Sequence, residues 1–302
     1  MSKPQVQLTT FDKRLMQIVP ANAQAAVEAV NKSLKAGKID GVNLFGFNSQ
    51  SVEFLAQLLP MTRARFQCCT NIDTSPLHGQ KNLRSLVCAS DAVELDVAHF
   101  PKLRTLSGFW HKRSRGLETL KHVEHLGLWQ LDQRYPDIAS LGLGRSVREL
   151  KITQSRIRST AGVELLPKLK RLELNYLREK LDLAPIGKSK SIQELEIESV
   201  RNYINLPAVA GCRKLNYIQI EKGAPIDSIR WLSKMPQLTG FLATQTQVKD
   251  GDFSVIAKLK KLIYFNADNK REYRPPIDEV EALVEARYAR AEARWKRAPN
   301  KP

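Results

Sequence analysis

The sequence predicts an α/β solenoid, a coil of short parallel strands joined by tight helical returns, and three observations carry that expectation. Apolar residues recur at relative positions 0, 3 and 5, in sets that begin at Leu83, Leu103, Val123, Val147, Leu169, Ile192, Leu215, Leu238 and Leu262, with steps of 20, 20, 24, 22, 23, 23, 23 and 24 residues. Of the 27 positions in these nine sets all but Gly108 are apolar, Cys88 included. A chain that is 42% hydrophobic would fill about 11 of them by chance. A period of this size marks a unit that cannot bury its apolar face alone and must stack on its neighbours.

The other two observations concern the halves of each unit. The second and third positions are separated by one residue, as in Leu172 and Leu174 or Ile218 and Ile220, which is the alternation of a short strand buried on one face. The return leg then carries a second apolar set, Leu181, Leu183 and Ile186 in one unit, Ile226, Ile229 and Leu232 in another and Val248, Phe253 and Ile256 in a third, with steps of three recurring among them. Such spacing suits a 3-10 or short helical turn.

Taken in order, Met1 to Thr10 are polar and expected to be loosely held. Ala26, Val27, Val30 and Leu34 describe an amphipathic helix ending near Gly37, and GVNLFGF from Gly41 reads as the first strand. A degenerate unit follows, in which Phe66 and Cys68 take the second and third core positions and Arg63 the first. Regular units run to about Lys270, with Pro101, Pro167 and Pro236 each standing two residues before a first core position and ending the preceding turn. The stretch Pro275 to Ala298 reads as a helix with acids early and bases late, and with Ile277, Val280, Val284, Tyr288, Ala291 and Trp295 on one stripe. One domain is expected: a helical N-terminal cap over 1–38, a solenoid of about 10 to 11 units over 39–270, and a C-terminal capping helix with a basic tail over 271–302.

Composition restricts the function classes. The 302 residues hold 48 Lys and Arg against 31 Asp and Glu, a net charge of +17, so an anionic partner has to be weighed. The four cysteines, Cys68, Cys69, Cys88 and Cys212, form no CxxC pair, and Cys68 and Cys88 fall on equivalent core positions as small buried thiols. The five histidines lack metal-ligand spacing, and there is no nucleophile elbow and no Gly-rich phosphate loop, so neither catalysis nor a cofactor or metal is expected. LMQIVPANAQA is not read as a secretory leader, because Asp12, Lys13 and Arg14 precede it and Gln17 interrupts its apolar run. With no run of 18 apolar residues the chain reads as a soluble cytoplasmic protein.

These units resemble the leucine-rich repeat family, whose pattern L-x-x-L-x-L-x-x-N/C-x-L is met as LKRLELNYL at Leu169 to Leu177, IQELEIESV at Ile192 to Val200 and LNYIQIEKG at Leu215 to Gly223. The resemblance covers roughly Ile39 to Lys270. It implies a horseshoe or arc with a parallel sheet on the concave side, 3-10 or short helical segments on the convex side, and helical caps. The Asn/Cys position is filled here by residues as different as Asp91, His111, Leu131, Ser155 and Thr246, so the Asn ladder of the family is absent. Some bacterial members carry a ubiquitin-ligase domain after the repeats; the 32 residues after Lys270 leave no room for one.

Strand geometry then assigns residues to the concave face. Over ten units, four columns of such positions hold seven acids and four bases, while the rest of the chain holds 24 acids and 44 bases. The face is therefore expected to be acidic on a basic molecule. Glu173, Glu194, Glu196, Glu198 and Glu221 fall on three successive rungs, with Glu149 further back, and Phe109, Trp110, Trp129, Tyr176 and Tyr217 supply aromatic rings. Aromatic anchors beside charge compose a protein-binding surface, here one suited to a partner with a basic surface. Nucleic acid in that concavity is disfavoured, since phosphates would meet carboxylates. The basic excess lies on loops and the last helix, at Lys112, Arg113, Arg115, Arg287, Arg290, Arg294, Lys296 and Arg297. The sequence thus points to a non-catalytic binding protein of bacterial type. By analogy it suggests an immunity protein that neutralises a cognate toxin; a structural adaptor, or a nucleic-acid-associated protein using its basic edge, are the alternatives.

Overall fold

The computed structural model describes residues 7–8 and 12–297, and these separate into two compact units, Met1–Tyr135 with Leu141–Thr153, and Pro136–Ser140 with Gln154–Pro302. In the first, β1 (Gln7–Leu8) pairs antiparallel with β2 (Leu15–Ile18). After α1 (Ala23–Lys35) the chain runs through β3 (Gly41–Phe45), β4 (Arg63–Gln67), β5 (Ser85–Ala89), β6 (Thr105–Phe109), β7 (His125–Trp129) and β8 (Glu149–Thr153), each parallel to the one before it and β3 parallel to β2. In the second, β9 (Arg171–Asn175), β11 (Glu194–Glu198), β13 (Tyr217–Glu221), β14 (Gly240–Thr244) and β15 (Tyr264–Ala267) form an open parallel sheet in that order. A small pair, β10 (Leu181–Asp182) with β12 (Tyr203–Ile204), lies on the return side, and the unit closes with α2 (Ser254–Lys258) and α3 (Ile277–Arg297).

The three-point apolar pattern is the core of both units. Leu169, Leu172 and Leu174, and Leu215, Ile218 and Ile220, are without solvent exposure, and the return-leg residues Leu183, Ile186, Ile229 and Phe253 meet them from the other side. Short 3-10 segments such as Ala184–Lys188 and Arg230–Lys234 supply most returns, as the spacing of three predicts.

A left-handed residue ends most strands: Gly46, Cys68, Gln130, Gln154, Tyr176, Ser199, Lys222 and Gln245 have φ between 51° and 74°. This turn sends the next residue inward, and Phe47, Cys69, Leu131, Ser155, Leu177, Val200 and Thr246 are all buried. Among the repeats that begin at Leu83 to Leu238, the two without it, at Ser90 and Trp110, are the two whose steps are only 20 residues, and both residues are buried at 7% and 3% exposure. Shortening the repeat removes the outward turn, so the residue after the strand folds into the core. The second of these repeats also contains Gly108, whose φ is 136°, and a Cβ there would stand 2.0 Å from the carbonyl oxygen of Cys88.

Four sequence expectations are corrected. The parallel sheet starts at Leu15, not Gly41, because Gln17 is the outward residue of an alternating strand whose Met16 and Ile18 are buried. The degenerate unit is in another register: Ala64 and Phe66 pair with Leu86 and Cys88, and Met61, 1% exposed, takes the first core position. Arg63 and Arg65 therefore face outward, Cys68 is exposed, and Cys69 is fully buried at the Asn/Cys position, its Sγ 3.4 Å from the Leu44 carbonyl. A two-residue offset was concealed by Arg63, which mimics a substituted core position because Ala64 is small. Lastly, among its described side chains α3 buries only Ile277, Val280 and Val284, while Tyr288 and Trp295 are 43% and 78% exposed. Arg287 on that helix is no free surface cation: it donates to the carbonyls of Ile256, Ala257 and Leu259 (3.2, 2.8 and 3.0 Å), closing the C-terminus of α2. The side chains of Arg294 and Arg297, and the basic tail beyond, lie outside the described residues.

Candidate functional site

Because outward side chains of parallel strands in register form straight rows, each unit presents a row-built face. In the second unit Glu196 stands between Glu173 and Gln219, Glu194 between Arg171 and Tyr217, and Glu198 between Asn175 and Glu221. The sequence expectation of five clustered glutamates is met in geometry. What it lacked is the cation among them. The Arg171 guanidinium is 2.6 Å from Glu196, 2.9 Å from Glu173 and 3.6 Å from Glu194. Burial works against its charge, but Glu196, Glu173 and Glu194 together hold its pKa above the ordinary arginine value. Glu196 is pushed up, first by burial and then by the like charges of Glu173 and Glu194, against the pull of Arg171. Arg171 and Lys222 against five carboxylates leave the face with a net negative charge.

Aromatic rings border this cluster. Tyr217 donates its hydroxyl to Gln219 at 3.0 Å, and its ring lies so close over Gly240 that a Cβ there would come within 2.4 Å of it. Burial and the neighbouring Glu196 raise its pKa. Arg171, Glu194, Glu196, Tyr217, Leu242 and Tyr264 line a depression of about 510 Å³. Tyr264 and Leu242 are outward positions in the sequence pattern too, but a single ring or leucine far along the chain carries no signal until the rows are aligned. Tyr176, 45% exposed, donates to Glu198 at 2.7 Å, and that hydrogen bond raises its pKa. Glu221 is 3.3 Å from Lys222.

The first unit differs. Phe109 and Trp129 are half-buried neighbours, their ring centroids 6.3 Å apart. Trp110 is not on this face: it is 3% exposed and donates its indole N–H to the Tyr135 hydroxyl at 3.3 Å. Its assignment to the binding surface is corrected by the absence of the left-handed turn in its short repeat. Glu149 is exposed and 2.8 Å from His125. With the corrected register this face carries Arg63, Arg65 and Lys151 alongside Glu149, and Arg63 is paired with Asp12, so it holds no cluster of acids like that of the second unit. The acidity expected of the whole inner surface belongs to the second unit.

Among the described residues no group of three or more His, Cys, Asp or Glu side chains is placed to hold a metal ion, and no helix is long and apolar enough to cross a membrane.

No protein-family model matches the chain, and no curated protein matches it in sequence. Solved structures do. An internalin (inlF) from Listeria monocytogenes is 19% identical with a TM-score of 0.58, over 82% of this chain and 73% of that one. A plant peptide hormone receptor, RGFR1, solved in complex with RGF2, is 17% identical with a TM-score of 0.51, over 77% of this chain and 40% of the receptor. TLR13, solved in complex with ssRNA13, is 14% identical with a TM-score of 0.50, over 80% of this chain and 37% of that one. The structural neighbours are leucine-rich repeat proteins, and the short parallel strands with 3-10 returns give this chain the same fold.

Proposed function

We propose that this protein is a non-catalytic binding module that engages a basic surface of a protein partner through the strand face of its second unit. The observation that carries the reading is the set of glutamates on β9, β11 and β13 around Arg171, bordered by Tyr217 and Tyr264. A half-buried carboxylate crowded by like charge, as Glu196 is, gains from an incoming lysine or arginine, and flanking rings contact the aliphatic stem or the cation itself. Neutralising a nuclease-like toxin with a basic cleft, as a cognate immunity protein, is one role with these requirements; a scaffold in a larger assembly is another. Nucleic-acid contact through the basic edge is weakened by how its arginines are used. Arg113 is 3.0 Å from Glu94, Arg115 is 2.8 Å from Asp96, and Arg287 is committed to α2.

The triple substitution Glu194→Lys, Glu196→Lys and Glu198→Lys tests this. All three are outward positions of β11, outside the apolar core, so the rungs should still form, as circular dichroism checks, while capture of a protein partner from the native host falls at least a hundredfold. Nucleic-acid retention should be equal or improved. Retained protein capture together with lost nucleic-acid binding would overturn the reading.

A further inference from the structure

On the return side of the second unit a short backbone ladder runs from β10 to β12 and then stops. β10 and β12 pair through Leu181 with Tyr203 and Asp182 with Ile204. The following segment opens with Pro225, which has no N–H, and its Ile226 bonds onward instead, donating to the Gln247 carbonyl at 2.8 Å. Among the described residues no backbone hydrogen bond joins Tyr203–Pro207 to Pro225–Ser228; only the Tyr203 hydroxyl crosses, donating to the Ala224 carbonyl at 2.7 Å. The outer edge of a paired strand is thus left without a neighbour, which is the situation extended peptides exploit when they add to a sheet.

The break opens a cavity of about 540 Å³, walled by Tyr203, Ile204 and Pro207 on one side and Pro225, Ile226 and Trp231 on the other. Its size lies within the roughly 300–1,000 Å³ of ligand pockets. Trp231 is 8% exposed and its indole N–H has no hydrogen-bond partner. A buried donor without an acceptor is unfavourable, and a small turn of the ring toward a bound carbonyl would relieve it. The charges at the rim are already engaged, Asp227 with Lys249 at 2.7 Å and Arg230 with Asp252 at 2.9 Å. Nothing there selects a charged ligand.

We infer that this cavity is a second binding site, taking a short, uncharged, apolar peptide segment in extended conformation. The peptide backbone pairs with the open edge of Tyr203–Ile204, one of its carbonyls accepts from the Trp231 indole, and its side chains fill the walls of isoleucine and proline. The site shares no residue with the acidic face and stands whether or not that face binds protein.

The probe is the capped peptide acetyl-Leu-Pro-Val-Leu-amide, titrated into the full chain with ¹⁵N-labelled tryptophan. The Trp231 indole resonance, assigned by its loss in Trp231→Phe, should shift while those of Trp110, Trp129 and Trp295 stay. Trp231→Phe should weaken binding about fivefold, the effect of one hydrogen bond, and a backbone N-methylated peptide should bind weaker by a similar factor. No shift at millimolar peptide, or shifts confined to the other tryptophans, would overturn the proposal. So would equal affinity for both peptides, which would indicate an apolar filler without strand pairing. Should Trp231→Phe fail to fold, Ile204→Arg at a partly exposed position closes the same cavity, and unchanged affinity there would also overturn it.

Discussion

Replacing Leu172 with aspartate is expected to unfold the rungs around β9 as a group, at a cost of about 4–5 kcal/mol or more. Leu172 has no solvent exposure and lies in register with Leu195 on the next strand, in a core formed by this apolar column and the apolar residues of the return legs. A carboxylate there has no cation within that core, and the alternative of protonation still leaves a buried polar group and a void. In a stack each rung forms one wall of the next, so the loss passes to its neighbours. Amide exchange should lose protection across β9, β11 and β13 together. Protection lost in β9 alone would contradict this account of the core. Leu172→Ala, which removes packing without adding charge, should cost less, about 2–4 kcal/mol.

Gly108→Ala should be nearly as damaging, about 3 kcal/mol or more, although it adds a single methyl group. Two terms act together. The backbone sits at a φ of 136°, where an L side chain is strained, and the new Cβ meets the Cys88 carbonyl oxygen at 2.0 Å, its carbon at 2.6 Å and the Cys88 nitrogen at 2.9 Å. All three are backbone atoms of the adjacent strand, so relief requires the strands to part. Gly127→Ala is the control. Its Cβ would meet the rotatable Ser107 hydroxyl at 3.1 Å, and its effect should stay below about 1 kcal/mol. Urea unfolding followed by tryptophan fluorescence, to which the buried Trp110 of the same unit contributes, reads both variants. Equal stability of the two would show that the rung tolerates a side chain at Gly108.

The solenoid was legible in the sequence because its core is written as a strict spacing, and spacing survives substitution. Leu, Ile, Val and Cys serve equally at those positions. The outward rows were legible for the same reason once the register was correct, as the alignment of Glu173, Glu196 and Gln219 demonstrates. The failures have a common physical origin. At Ala64 the core residue is too small to announce itself, so the register slipped to Arg63. At Trp110 the outward position depends on a left-handed backbone turn, which its 20-residue repeat omits. Arg171 sat in the expected column, yet its role as the hub of three carboxylates depends on side-chain reach, which spacing does not encode. The two units, and the break in the return ladder at Pro225, arise from contacts between segments and leave no period to read.

The corrected register around Cys68 has a practical side. Burial pushes the Cys69 and Cys212 thiols up and that of Cys88 up to about 12, and all three side chains are enclosed, whereas Cys68 lies exposed just past the end of β4. Reaction with an alkylating dye needs both a thiolate and access. The natural chain therefore offers a single handle for conjugation, and a fluorophore attached there would report on ligands approaching the first unit's face with no cysteine engineered in or out.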